Sequence, residues 1–158
     1  MPDTFESFFR AHHQRLLSAL CLITRNRHEA EEITQDAFLS LWERWDRVGG
    51  MDSPDGYLYR TAMNTFRKRI RRIGRSQMRI ATPDATTDGG IEEIDATDLA
   101  VRALEPLTPA ERAAVVLTDL LGFPSEEAAR LLHTTPGAVR TAASRGRAEL
   151  RRLQGGAR

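Results

Sequence analysis

The 158-residue sequence holds one cysteine, Cys21, and one lysine, Lys68; every other cation is arginine. A single thiol excludes an intramolecular disulfide and fits a reducing cytoplasm. It also excludes a cysteine-built zinc site. His12 and His13 stand near Cys21 but lack paired ligand spacing, so they are read as structural and no metal is expected. No apolar run approaches the ~18 residues that span a bilayer. The N-terminus, MPDTFESFF, lacks a basic stretch followed by an apolar core. No secretory signal and no membrane insertion are therefore expected, and the reading is cytoplasmic. Glycine-rich nucleotide loops, metal clusters and catalytic triads are missing too, which argues against an enzyme and against a cofactor.

What is present is an ordinary globular balance, 41% hydrophobic and 28% charged, with a formal net charge of only +1. Global charge therefore says little about partners, and its distribution says more. The stretch Tyr57 to Ile73, YLYRTAMNTFRKRIRRI, contains no Asp or Glu. Leu58, Ala62, Phe66, Ile70 and Ile73 recur at the spacing of a buried helical stripe. Arg60, Asn64, Arg67, Lys68 and Arg71 line another face, widened by Arg69 and Arg72. Without interleaved acids, i,i+4 pairing leaves these charges uncompensated, and such a face suits a polyanion. A merely solvated charged face is the alternative.

Around this stretch the pattern is helical throughout. Thr4 to Ile23 reads as an amphipathic core helix. Glu29 to Trp45 carries Ile33, Ala37, Leu41 and Trp45 at steps of four, broadened by Phe38 and Trp42. Its opposite face holds Glu32, Gln35, Asp36, Ser40 and Glu43. Val48 to Gly56 is rich in breakers, and Ser53-Pro54 reads as an N-cap followed by a first-turn proline. Ser76 to Ala96 has no periodicity and is acidic, the pattern of a flexible linker and a domain boundary.

The C-terminal part begins with a short helix, Thr97 to Leu104. Thr108, Pro109 and Glu111 then match a capping box, and the helix carries a stripe of Ala113, Val116, Leu117, Leu120 and Leu121 up to Gly122. Ser125 is read as the cap of Glu126 to Leu132. A turn at His133-Thr134 leads to a helix started by Thr135-Pro136 and running to about Leu153. The last pair reads as a helix-turn-helix, packed through Ala129, Leu132 and Val139, with Arg140, Thr141, Ser144, Arg145 and Arg147 free for DNA. The fold class is all-α: two small helical domains, 1–74 and 97–158, joined by a flexible linker, 75–96.

Three segments in order, EAEEITQDAFLSLWERW, SPDGYLYRTAMNTFRKRIRR and LTPAERAAVVLTDLLGFPSEEAARLLHTTPGAVRTAASRGRAELRR, resemble the extracytoplasmic-function (ECF) group of bacterial RNA polymerase sigma factors, with regions 2 and 4 only. The resemblance implies a factor that binds core RNA polymerase and directs promoter recognition and opening. Glu32, Gln35, Asp36, Leu39, Ser40 and Glu43 would contact the clamp helices of the largest subunit, with Leu39 as an apolar anchor. Tyr57, Tyr59, Arg60, Asn64, Arg67, Lys68 and Arg71 would hold and melt the −10 element, the preceding loop helping to capture an unpaired base. The cations would grip phosphates. The second domain would sit on the flap of the other large subunit. There Thr135, Arg140, Thr141, Ser144, Arg145 and Arg147 would read the −35 element. An anti-sigma factor is an expected further partner.

The chain departs from the family pattern at Ala142, where arginine is usual, and at Ser144, Gly146, Gly56 and Tyr57. The changes at Ala142, Ser144 and Gly146 imply an atypical −35 sequence or weaker reliance on that element, and those at Gly56 and Tyr57 bear on the promoter sequence rather than on the class. Two alternatives stand beside this reading: a stand-alone helix-turn-helix regulator and a sigma mimic that binds an anti-sigma factor. The acidic-faced helix argues against the first, and the strongly basic helix against the second.

Overall fold

A computed structural model describes residues 4–76 and 96–156, and the described residues contain helices and no strand. Helix α1 (Phe5–Thr24) starts where the Thr4 hydroxyl accepts from Ser7 N. It stops at Arg25, which adopts a left-handed conformation, φ 58°, unusual for a residue with a Cβ. Asn26 caps α2 (Arg27–Glu43) through Glu29 N. The expected single helix to Trp45 is interrupted: Arg44 leaves helical geometry, and Trp45 opens the short α3 (Trp45–Val48). Ile33, Ala37 and Leu41 are fully buried, as their spacing requires. Trp42, read as part of that stripe, is instead 59% exposed.

Helix α4 (Pro54–Ser76) begins at the expected cap, with Ser53 Oγ accepting from Gly56 N at 3.2 Å. Its buried face is broader than the stripe suggested. Leu58, Ala62 and Phe66 are joined by Tyr59 and Met63. The side chains of the expected positions Ile70 and Ile73 lie outside what is described; of the expected linker 75–96, Arg75 and Ser76 belong to α4, Ala96 opens the next helix, and 77–95 lie outside the described residues. Helices α1, α2 and α4 share one core centred on Phe8, Leu16, Leu20, Ile33, Leu41 and Leu58.

The second half opens with α5 (Ala96–Leu104). The capping box of Thr108 and Glu111 then starts α6 (Pro109–Val115). What read as one continuous helix passes at Val116 into a π-helical turn, Val116–Leu120, closed by Leu121 N donating to Val116 O at 3.0 Å. The wider turn rotates the end of the stripe, so Leu120 is exposed while Val116 and Leu117 are buried. Gly122, φ 77°, ends the segment. Helix α7 (Ser125–Leu132) includes Ser125 in its first turn; Pro124 holds the cap position and no side chain caps the helix. His133, in a left-handed conformation, turns the chain into α8 (Pro136–Gly156), where Thr135 Oγ1 accepts from Ala138 N.

The two halves pack on each other. Arg112, buried on α6, donates to Ile23 O at the C-terminus of α1 (3.2 Å) and to Leu107 O (2.9 Å). Arg15 donates to Leu121 O, and Arg25 pairs with Glu105 at 2.9 Å. Helix α7 rests against α4.

Candidate nucleic-acid interface

On α4 the buried face fixes how the remaining side chains are displayed. Arg60, Lys68 and Arg71 are exposed; Tyr57, Asn64 and Arg67 are half-buried; Tyr59 is buried. The loop before the helix and its first turns border an open cleft of about 730 Å³. Gly50, Met51, Asp52, Ser53 and Asp55 form one side, Tyr57 and Arg60 another, and Phe123 and Glu127 of the second half close it. That volume is in the range of small-molecule pockets. Of the two tyrosines, Tyr57 lines the cleft. Tyr59 lies beneath Phe123, with ring centroids 5.4 Å apart at 70°, an edge-to-face contact. Burial raises the Tyr59 hydroxyl above its ordinary value, and that hydroxyl has no hydrogen-bond partner.

The cations of α4 do not form one free surface. Arg67 Nη2 donates to Asn64 Oδ1 at 2.7 Å and to His133 Nε2 at 2.8 Å. Burial, with the nearby charge of Arg71, pulls the Arg67 guanidinium below its ordinary value. Arg69 points the other way. It reaches Glu32 at 2.8 Å, Asp36 at 3.6 Å and Glu29 at 3.9 Å on α2. The sequence pattern excluded compensation within α4, and the neighbouring helix supplies it across the core.

In the helix-turn-helix, Ala129 and Val139 are buried and Leu132 half-buried between α7 and α8, as expected. Arg140, Thr141, Ser144 and Arg145 are exposed along the N-terminal half of α8, while Thr135 acts as its cap. Arg147 is half-buried and pairs with Asp119 at 3.1 Å. Gly146 is buried where α8 crosses α6: a Cβ there would lie 2.8 Å from Val115 Cγ2. The sequence showed only its helix-propensity cost.

Two family models match the chain, Sigma-70 region 2 over residues 8–76 and Sigma-70 region 4 over residues 97–150. The ECF RNA polymerase sigma factor SigM of Mycobacterium tuberculosis is 32% identical over 155 residues, covering 96% of this chain and 77% of SigM. The chain belongs to the ECF sigma factors. CarQ, an RNA polymerase sigma factor of Myxococcus xanthus, is also 32% identical, over 97% of this chain and 90% of its own length. With SigE of Mycolicibacterium smegmatis the identity is again 32%, and the match spans 61% of that protein. The fold is similar to that of the sigma factor RpoE solved in complex with the anti-sigma factor NepR from Bartonella quintana (TM-score 0.69, 22% identity, 95% of this chain and 96% of that one). It is also similar to CnrH solved with the cytosolic domain of CnrY (TM-score 0.62, 24% identity, 96% and 88%).

For an ECF sigma factor the polar face of α2 is the other surface of interest. Gln35 and Glu43 are exposed, and Ser40 accepts from Arg44 Nη1 at 2.9 Å. Glu32 accepts from Arg69 and pairs with His28 at 2.9 Å; the Arg69 hydrogen bond holds its carboxyl below the ordinary range. Leu39 is 57% exposed, as its position off the stripe implied. Trp42, one turn further on, is exposed as well, its indole edge-on to Phe5 at 5.1 Å. Sequence reasoning assigned Trp42 to the core because its spacing fits the edge of the buried stripe. Only the packing of α1 against α2 turns it outward. Among the described residues no helix is long and apolar enough to cross a membrane, and no group of three or more His, Cys, Asp or Glu gathers as a metal site.

Proposed function

We propose that residues 1–74 engage core RNA polymerase and the −10 element, that residues 97–158 engage the −35 element, and that 75–96 tether them. A sigma factor binds core RNA polymerase and promoter DNA. It is an initiation factor rather than a catalyst, and we place this one in the cytoplasm. The observation that carries the assignment is the cleft beside Tyr57 and Arg60, with Lys68 and Arg71 exposed further along the same helix. An unpaired base entering the cleft stacks on an aromatic wall, while the cations beside it hold the strand's phosphates. Helix α8 presents Arg140, Thr141, Ser144 and Arg145 to a major groove, with Ala142 half-buried beside them.

The clamp helices of the polymerase meet α2. Leu39 and Trp42 supply the apolar anchor, with Gln35, Asp36 and Glu43 around it. The flap of the other large subunit receives the second domain, and an anti-sigma factor is the expected regulator. The sigma factor RpoE, whose fold is similar, was solved bound to the anti-sigma factor NepR. Run-off transcription with purified core enzyme on a random promoter library tests the assignment. The expected product is a set of transcripts sharing a −10 motif and a divergent or weak −35 motif. Transcription that never depends on the added factor would refute it.

A further inference from the structure

We infer that Arg44 is a further residue of the −10 site, the cation that takes the phosphate of the captured nucleotide; this rests on the DNA-facing role proposed above for the cleft beside Tyr57. No periodicity marks Arg44, since it falls between the acidic face of α2 and the breaker-rich loop. The break between α2 and α3 places it. Arg44 N donates to Leu41 O at 3.1 Å, and Arg44 O accepts from Arg47 N at 3.0 Å and from Val48 N at 2.9 Å. Those main-chain bonds hold the corner whatever the side chain is. From the corner, Nη1 donates to Ser40 Oγ at 2.9 Å, one turn back on α2, and to Tyr57 Oη at 3.4 Å, in the first turn of α4. The guanidinium therefore ends at the hydroxyl edge of the ring that walls the cleft.

Charge gives Arg44 its task. The cleft is lined by three carboxylates, Asp52, Asp55 and Glu127, against one cation, Arg60. Arg60 itself stands 3.9 Å from Glu127. A strand brings a phosphate with each base, and a lining of that sign repels it unless a further cation stands close by. Arg44 is exposed and, among the described residues, meets no carboxylate: its side-chain contacts are two neutral hydroxyls, and both fall on Nη1. Nη2 and Nε keep their donors for an anion, in the planar fork that suits a phosphate. Holding one nitrogen in place also removes part of the rotamer freedom that a phosphate contact would otherwise cost. A base stacked on the Tyr57 ring carries its sugar and phosphate beyond the ring's edge, and Arg44 stands at that edge.

The test uses the full chain assembled with core enzyme. Its probe is a labelled copy of the promoter that the parent chain selects from the random library, with the −10 region held open by mismatched bases, and binding is read by fluorescence anisotropy across a range of salt. Arg44→Gln weakens binding several-fold and lowers the slope of log affinity against log salt by about 0.7, one single-strand phosphate contact. Arg44→Lys restores the slope but only part of the affinity, because an ammonium lacks the planar fork that serves two hydroxyls and a phosphate together. Tyr57→Phe keeps the ring, removes the acceptor and leaves the slope unchanged. Arg10→Gln removes the same charge from α1 and changes neither affinity nor slope. Core-enzyme retention is measured beside each, and Arg44→Gln retains it as the parent does. If Arg44→Gln loses core enzyme and, once saturated, binds the probe like the parent, Arg44 belongs to the docking face and the proposal falls. An equal drop in slope for Arg10→Gln sinks it as well. If Arg44→Gln is silent while Arg60→Ala weakens binding, the −10 cleft stands without Arg44. If Arg60→Ala is silent too, the cleft reading itself fails and takes the Arg44 contact with it.

Discussion

Arg69 turns its guanidinium away from the candidate nucleic-acid face and onto Glu32 and Asp36, two residues proposed above for polymerase docking. Asp36→Arg therefore does two things: it reverses a docking charge and sets a like charge 3.6 Å from where Arg69 now pairs. The expected outcome is loss of core-enzyme retention in a pull-down, with the helical circular dichroism retained. Gly146 marks a close approach. Gly146→Ala gains about 1 kcal/mol of helix propensity and drives a Cβ into buried Val115, an overpacking cost of about 1–3 kcal/mol. A lower urea midpoint is expected, with recovery in Gly146→Ala/Val115→Ala. His12 adds a pH response. Burial against Phe8, ring centroids 4.4 Å apart, is the largest cause that lowers its imidazole below the ordinary value of about 6.5. Asp55 opposes the shift and Arg15 adds to it. The unfolded chain takes the proton first, so the stability His12 contributes above pH ~6.5 is lost as pH falls through the folded-state value. Thermal midpoints between pH 7.5 and 5.5 are expected to fall less steeply in His12→Gln.

Helix α2 shows why an amphipathic pattern is a partial guide. Ile33, Ala37, Leu41 and Phe38 go inside because a period near four keeps one face on α1 and α4. Trp42 sits at the edge of that face, and the packing of Phe5 and the break at Arg44 place it in solvent beside Leu39. Two large apolar side chains exposed on one turn of a soluble helix are the composition of an interface anchor. Leu39→Ala/Trp42→Ala is expected to weaken core-enzyme binding at least tenfold by titration, with a melting temperature close to the parent's. On α4, Arg67→Ala with Arg71→Ala is expected to slow promoter opening and flatten its salt dependence while core binding survives. Core binding lost instead would move the docking surface onto α4.

The two halves meet through more than the α7–α4 contact. Arg112 lies buried between them, and burial is the main cause that lowers its guanidinium, with the charge of Arg25 adding to it. Its donors go to the carbonyls of Ile23 and Leu107, so it ties the end of α1, where the helix dipole is negative, to the entry of α6. Hydrogen bonds from a charged donor contribute about 1.5–3 kcal/mol each at most. Arg112→Met keeps the aliphatic bulk and removes the donors. Hydrogen exchange at α6 and small-angle scattering are expected to report a looser, more extended chain, with α1, α2 and α4 still protected. No residue pattern in PAERAAV marks Arg112 for this role, since its partners are main-chain atoms, one of them 89 residues away.

The sequence by itself determined neither the break at Arg44 nor the π-helical turn at Val116–Leu120, but it did determine the all-helical pattern, the caps at Ser53, Thr108 and Thr135, most of the buried positions of both halves and the family. Each of these depends on near-neighbour spacing, and a helix buries or exposes a residue mainly by its angle around one axis. The basic helix was legible as a candidate nucleic-acid surface for the same reason, since no acid lies between Tyr57 and Ile73. The tertiary structure alone decided which cations are free. Arg69 is matched by α2, Arg67 is drawn to His133, and Arg60 faces Glu127, all partners far away in sequence. It alone decided that Trp42 faces out, that Tyr59 lies under Phe123, and that Gly146 is a contact point. Charge pairing and steric closeness act through space, and the packing of two separately patterned halves is not written in the period of either.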